Sequence, residues 1–216
     1  MSVTEIVCKL ALSYLLGSLI GSLALGRLRG IDIRSMGSGN AGSTNALRTQ
    51  GKRFALGVLA IDVGKGWIAT RIIAGLALPR HAGDDARAWL PALCGAAVMV
   101  GHVYPLWFGF RGGKAVATGV GAVLGIAPAM VLVLLLVWLA VVACSGFVGL
   151  ASMLAAAVLP LGMYLGKVEP RAPAVAFGVF AAAFILYTHR ANIARMRAGR
   201  EPRARRLWLL GRGASS

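Results

Sequence analysis

Pro128-Ala-Met-Val-Leu-Val-Leu-Leu-Leu-Val-Trp-Leu-Ala-Val-Val-Ala-Cys144 runs for 17 residues without a charge. As a helix it is about 25 Å long, close to the hydrocarbon thickness of a bilayer. Residues 147–166 and 172–188 follow with the same character and the same lack of charge. Upstream, apolar stretches fill 3–28, 54–78, 89–108 and 115–126. The expected fold is therefore an all-α integral membrane protein of about seven transmembrane helices. Gly17, Ser18, Gly21 and Ser22 in the first stretch place small groups four apart, which lets helices pack closely. That stretch is too long for a signal peptide and starts with Glu5 rather than a basic cluster.

Composition agrees. The chain is 58% hydrophobic with a mean hydropathy of +0.75, yet it carries 23 Lys+Arg against 7 Asp+Glu. Grease joined by basic loops is the pattern of a multi-span membrane protein, not of a nucleic-acid binder. The 216 residues leave no room for a separate soluble domain, so the expectation is a single domain over 1–216. Cys8, Cys94 and Cys144 are an odd set in apolar segments, without metal-ligand spacing, and read as small hydrophobes. Neither a metal site nor a disulfide is expected.

Polarity is concentrated in three islands. The first is Gly37-Ser-Gly-Asn-Ala-Gly-Ser-Thr-Asn-Ala-Leu-Arg48, inside a loop over 29–53. Its glycines let a ligand approach the backbone, its hydroxyls and amides offer hydrogen bonds, and Arg48 adds a fixed charge, which together suit a phosphate. A plain surface loop is the competing reading. The second island, Phe110-Arg-Gly-Gly-Lys-Ala-Val-Ala-Thr118, opens a helix with two glycines and Lys114, again favouring an anion. It is not a Walker A loop, because position 108 is Phe and position 115 is Ala. Gly37, Gly39 and Gly42 match a dinucleotide pattern by letter only, with no preceding strand. The third island is His189-Arg-Ala-Asn-Ile-Ala-Arg-Met-Arg-Ala-Gly-Arg-Glu201, where His189 and Asn192 can share a helix face. A basic tail over 202–216 mixes arginines with Leu207, Trp208, Leu209 and Leu210 and suits an anionic membrane surface. Residues 79–88 form a short polar connection with His81, Asp84 and Asp85. Within 54–78, Asp62 and Lys65 lie three apart on one helix face, either as a structural ion pair or as part of the site.

Orientation joins these pieces. With seven spans and the N-terminus outside, the inside segments hold 16 of the 23 Lys+Arg and the outside segments hold 4. That bias obeys the positive-inside rule. The same topology puts all three islands, at 29–53, 109–118 and 189–201, on the cytoplasmic side, as one shared site requires.

The ordered set resembles the motifs of the bacterial acyl-phosphate:glycerol-3-phosphate acyltransferase family, integral membrane enzymes of phospholipid synthesis. The second motif begins at Gly101-His102, and Asp62-Val-Gly-Lys65-Gly66 is similar to the family's second span. Ser43 stands where the family usually has Ala, and Ala115 where it usually has Gly. The resemblance implies transfer of an acyl group from acyl phosphate to the 1-hydroxyl of glycerol 3-phosphate, giving lysophosphatidic acid and phosphate. It implies no cofactor and a multi-pass protein of the bacterial inner membrane with a cytoplasmic active site. It implies catalytic roles for Ser38, Arg48, Lys114, His189 and Asn192. Substrate binding falls to Gly39, Asn40, Thr44, Asn45, His102, Gly112, Gly113 and Glu201. Membrane lipid is a further partner, and docking of the soluble enzyme that makes acyl phosphate is a partner to be tested. The restriction to acyl phosphate as donor comes from the resemblance alone.

The residues favour direct attack. No Gly-x-Ser-x-Gly elbow is present, and His81 and His102 lack an aspartate five residues on. The rival reading is a transporter or flippase for a phosphorylated solute or lipid. It lacks the internal repeat and midplane site of a carrier.

Overall fold

The computed structural model describes residues 2–76, 84–205 and 207–210, which are helical throughout with no strand among them. The part of the 79–88 connection that holds His81 and the end of the tail lie outside the described residues. The chain divides into two compact units, Met1–Ile126 and Ala127–Ser216.

In the first unit, α1 (Val3–Ser18) starts on Ser2, whose hydroxyl accepts from Glu5 N at 3.2 Å. The first apolar stretch is not one straight span. It breaks at residues 19–20 and resumes as α2 (Gly21–Arg27), bent by 53°. A 3-10 turn, Ile33–Ser35, leads to the first motif, whose second half is itself a helix, α3 (Ser43–Gln50). Then α4 (Lys52–Trp67) runs into a π-helical turn, Ile68–Ile73, whose end is closed by Lys9 donating to Ala74 O and Leu76 O at 3.1 and 2.8 Å. A long helix, α5 (Asp84–Val103), a 3-10 turn at Leu106–Phe108 and α6 (Val116–Ile126) complete the unit.

Small residues set its packing. A Cβ at Gly17 would run into the Val98 carbonyl and one at Gly101 into the Tyr14 carbonyl, so α1 and α5 touch backbone to backbone. Gly66 and Gly121 do the same for α4 and α6, against Thr118 O and Val63 O. Ile20, Leu23, Ile33, Ala41, Ala46, Phe54 and Val58 form a buried cluster beneath the first motif.

The second unit holds α7 (Pro128–Ser145), α8 (Val148–Ala157), α9 (Leu159–Leu165), α10 (Arg171–Thr188) and α11 (Arg190–Arg197). Proline starts α7, and left-handed Gly146 ends it, its N–H returning to Val142 O at 2.8 Å. Only 11% of the α7 window is buried, and Leu132, Leu135, Leu136 and Leu139 point outward, as a lipid-facing helix requires.

Among the described residues, four segments are long and apolar enough to cross a bilayer: Ala86–Phe108, Pro128–Ser145, Val148–Leu165 and Arg171–Thr188. The bent pair of α1 and α2 counts as a fifth. The protein is thus a multi-pass membrane protein. Of the expected seven spans, two are not among these: α4, which continues through the π-helical turn to Ile73 but carries Asp62 and Lys65, and α6, which has 11 residues. The tail returns to α7: Leu209 N donates to Ala143 O at 3.0 Å and Trp208 Nε1 to Cys144 O at 3.1 Å. Both satisfy carbonyls of the last helical turn. The Arg203 guanidinium lies 4.7 Å from the Phe147 ring centroid and 4.0 Å from that of Trp208.

Candidate active site

The first motif is a loop folded around one side chain. Asn45 is 1% exposed, and its amide nitrogen donates to Ile33 O at 3.2 Å and Met36 O at 3.0 Å. Its carbonyl oxygen accepts from Ser38 N at 2.9 Å. With three of its four bonds spent on backbone, Asn45 shapes the loop from beneath. Ser38 and Gly39 remain exposed at the tip and Asn40 is half-buried. The start of α3 carries no side-chain cap, so its first N–H groups are presented towards the loop. Thr44 and Arg48, one turn apart on α3, are both exposed on one face.

Arg34 ties this loop to the second motif. Its guanidinium donates to Phe108 O and Arg111 O, each at 3.0 Å, and pairs with Asp32 at 2.7 Å. Hydrogen bonding from Arg34 holds the Asp32 carboxyl below its usual 3.8, against a smaller opposing effect of burial. The carboxylate therefore contributes fully above that value and loses its contribution only as pH falls through the lowered one.

The second motif folds back on the end of α5. Gly112 N donates to Val103 O and Gly113 N to His102 O, both at 3.1 Å. A Cβ at Gly112 would meet the His102 carbonyl, and one at Gly113 would meet His102 Nε2 and approach Ala41 O to 3.0 Å. The two glycines therefore seat the loop between His102 and the first motif, and half-buried Lys114 follows directly. Ala115 is buried with φ 58°, a left-handed conformation that glycine adopts at less cost.

His102 is 3% exposed and sits over an ionic cluster. Its Nδ1 lies 2.8 Å from Lys65 Nζ, 3.1 Å from Thr118 Oγ1 and 3.6 Å from Asp62 Oδ1. Lys65 also donates to Gly17 O at 2.9 Å and Leu19 O at 3.0 Å, the carbonyls exposed where α1 stops. Asp62 accepts from Gly21 N at 3.2 Å, the first N–H of α2. The pair, 3.1 Å apart, thus caps both sides of the helix break with the sign of charge each end favours.

In the second unit His189 stands at the junction of α10 and α11 and is 3% exposed. Its Nδ1 lies 2.7 Å from Ile185 O. A carbonyl only accepts, so Nδ1 carries the proton and the lone pair of the neutral ring lies on Nε2. Asn192, 6% exposed, donates to Glu201 Oε1 at 2.6 Å, and Arg195 donates to Glu201 Oε2 at 2.6 Å. Glu201 thus organises Asn192 and Arg195 from behind. Gly149 on α8 leaves the room that Asn192 fills, since a Cβ there would stand 2.8 Å from its amide nitrogen.

The sequence-derived residues Ser38, Gly39, Asn40, Thr44, Asn45, Arg48, His102, Gly112, Gly113 and Lys114 all fall in the first unit, and His189, Asn192 and Glu201 in the second. Arg34, Thr118, Arg195 and Gly149 were not singled out from the sequence. Arg34 and Arg195 had only the signal of lying inside or beside a motif, and Gly149 had none. Among the described residues no cluster of His, Cys, Asp or Glu could hold a metal.

Residues 7–199 match the family model described as glycerol-3-phosphate acyltransferase. Over 195 residues the chain is 44% identical to a glycerol-3-phosphate acyltransferase of Synechococcus sp. (strain CC9902), covering 90% of this chain and 92% of the relative. Identity is also 44% over 198 residues to the enzyme of that name from Gloeobacter violaceus, covering 89% and 92%. The crystal structure of PlsY, described as an integral membrane glycerol 3-phosphate acyltransferase in its glycerol 3-phosphate form, matches with a TM-score of 0.82. Identity there is 34% over 92% of this chain and 94% of that one. Its lysophosphatidic acid form matches at 0.80, with 33% identity and the same coverage.

Proposed function

The chain belongs to the glycerol-3-phosphate acyltransferase family, and from that premise we propose that it transfers a fatty acyl group from acyl phosphate to the 1-hydroxyl of sn-glycerol 3-phosphate. Acyltransferase activity is the family's; the donor and the residue roles are this proposal's content. The hydroxyl oxygen bonds to the acyl carbon, the bond from that carbon to the phosphate oxygen breaks, and phosphate leaves. The hydroxyl proton passes to His189 Nε2. The products are lysophosphatidic acid and inorganic phosphate.

The observation that carries the reading is the seam between the first two motifs. Arg34 bonds the second loop to the first, and Gly113 is seated between His102 and Ala41 O. Two phosphate-bearing substrates need neighbouring anion sites, and the seam joins two glycine-rich loops, one followed by Lys114 and the other leading into the helix that carries Arg48. On this reading Ser38, Asn40, Thr44 and Arg48 hold donor phosphate and the reacting carbonyl. Gly112, Gly113 and Lys114 cradle glycerol 3-phosphate. His189 takes the proton and Asn192 orients the attacking hydroxyl. Phosphate is a good leaving group, so positioning and charge stabilisation supply most of the acceleration.

We place the protein in the bacterial inner membrane with seven crossings, the N-terminus outside and the motifs facing the cytoplasm, as the charge bias favours. The test of the donor is a comparison of palmitoyl phosphate, palmitoyl-CoA and palmitoyl-acyl carrier protein with the purified protein and glycerol 3-phosphate. Product from acyl phosphate alone supports the proposal, and equal use of a thioester overturns it.

A further inference from the structure

We infer that Lys65, held by Asp62, is a positioning residue for the glycerol-3-phosphate loop: it fixes the tautomer and orientation of His102, and His102 fixes Gly113. The inference rests on the acyltransferase reading above and assigns a role to a buried pair that the reaction itself does not use.

An ammonium has three hydrogens and no lone pair. The three shortest contacts of Lys65 Nζ are His102 Nδ1 at 2.8 Å, Gly17 O at 2.9 Å and Leu19 O at 3.0 Å. Asp62 Oδ1, at 3.1 Å, supplies the countercharge in a site where Lys65 is 3% exposed and Asp62 1%. His102 Nδ1 therefore accepts, and the proton of the neutral ring sits on Nε2. That edge is the one pressed on Gly113, where a Cβ would collide with Nε2 and come within 3.0 Å of Ala41 O. The backbone of His102 holds the same glycine, its carbonyl accepting from Gly113 N at 3.1 Å. Ring and backbone together set where the loop stands relative to the first motif. Thr118 Oγ1, 3.1 Å from Nδ1, braces the ring from α6.

Capping the helix break explains only part of this arrangement. Two of the lysine hydrogens serve the carbonyls of α1, and Asp62 serves the first N–H of α2. The third hydrogen goes to a histidine at the site, which capping does not require. His102 and His189 thus hold opposite tautomers: Nε2–H facing a loop in one, and a lone pair on Nε2 in the other.

The first test is solid-state NMR of the wild-type protein in lipid bilayers with ¹⁵N-labelled histidine. His81→Gln and His189→Gln assign the remaining signals. A His102 ring protonated at Nε2 and bare at Nδ1 is the expected result, and a proton on Nδ1 overturns the inference, whatever any variant does. The second test is Lys65→Met. It should raise KM for glycerol 3-phosphate about 10–100-fold while kcat and the KM for the acyl donor change much less. A uniform loss across all three constants, or unchanged kinetics in a variant that merely melts earlier, overturns it. Failure of the acyltransferase reading itself is separately visible, as wild-type protein without glycerol 3-phosphate-dependent product.

Discussion

At the scale of single residues, chemistry was easier to read than partnership. Asn45 lies in the first motif among residues suited to phosphate, and its amide has the right groups for a ligand. Its burial and its three backbone bonds also make it the side chain around which the loop folds. Nothing in a one-dimensional pattern distinguishes an amide aimed outward from one aimed beneath its own loop. His189 is better defined, because Ile185 O dictates its tautomer. If it is the general base, His189→Gln lowers kcat about 10²–10⁴-fold in a steady-state assay. A loss well below that range assigns the proton to substrate phosphate. Ala115 is a third case, an L-residue held at φ 58° where the family resemblance expects glycine. Ala115→Gly should relieve about 1 kcal/mol of backbone strain, less the entropy that glycine adds to the unfolded chain. A thermal midpoint in detergent that is unchanged or higher is expected, and a clear drop contradicts the strain.

At the scale of elements, the apolar stretches were legible because a bilayer imposes one length on them. Ends and breaks were not. Gly17 to Ser22 signalled close packing, and packing is there, at Val98 and Val58. The same small residues also sit at a 53° bend whose open backbone groups are satisfied by Lys65 and Asp62, about forty residues further on. That satisfaction is long-range and has no local signature. The third motif shows the converse: its spacing put His189 and Asn192 on one face, and both are buried. Glu201 closes α11 by binding Asn192 and Arg195 together. Glu201→Ala should therefore cut kcat/KM by at least about tenfold, since it frees both partners. Glu201→Gln, which keeps an acceptor for Asn192, should lose less; equal losses in the two variants contradict the positioning role.

At the scale of the whole molecule, class and chemistry came from composition and motif order, while the number of crossings did not follow from apolarity alone. α4 carries a buried ion pair and α6 is 11 residues long, so neither has the plain signature of a span. The proposed orientation predicts that a cysteine at position 2, with Cys8, Cys94 and Cys144 replaced by alanine, reacts with an impermeant thiol reagent in intact cells. A cysteine at position 200, which is exposed, in the same background should react only after the membrane is opened. The reverse pattern inverts the topology and removes the motifs from the cytoplasm.

The central claim is tested most directly by incubating the purified protein, in detergent or a lipid mesophase, with palmitoyl phosphate and glycerol 3-phosphate. Lysophosphatidic acid and phosphate are then measured together. The account predicts both products in equal amounts, dependent on glycerol 3-phosphate and lost in Lys114→Ala. Folded wild-type protein that yields neither, or releases phosphate without forming lysophosphatidic acid, would contradict it.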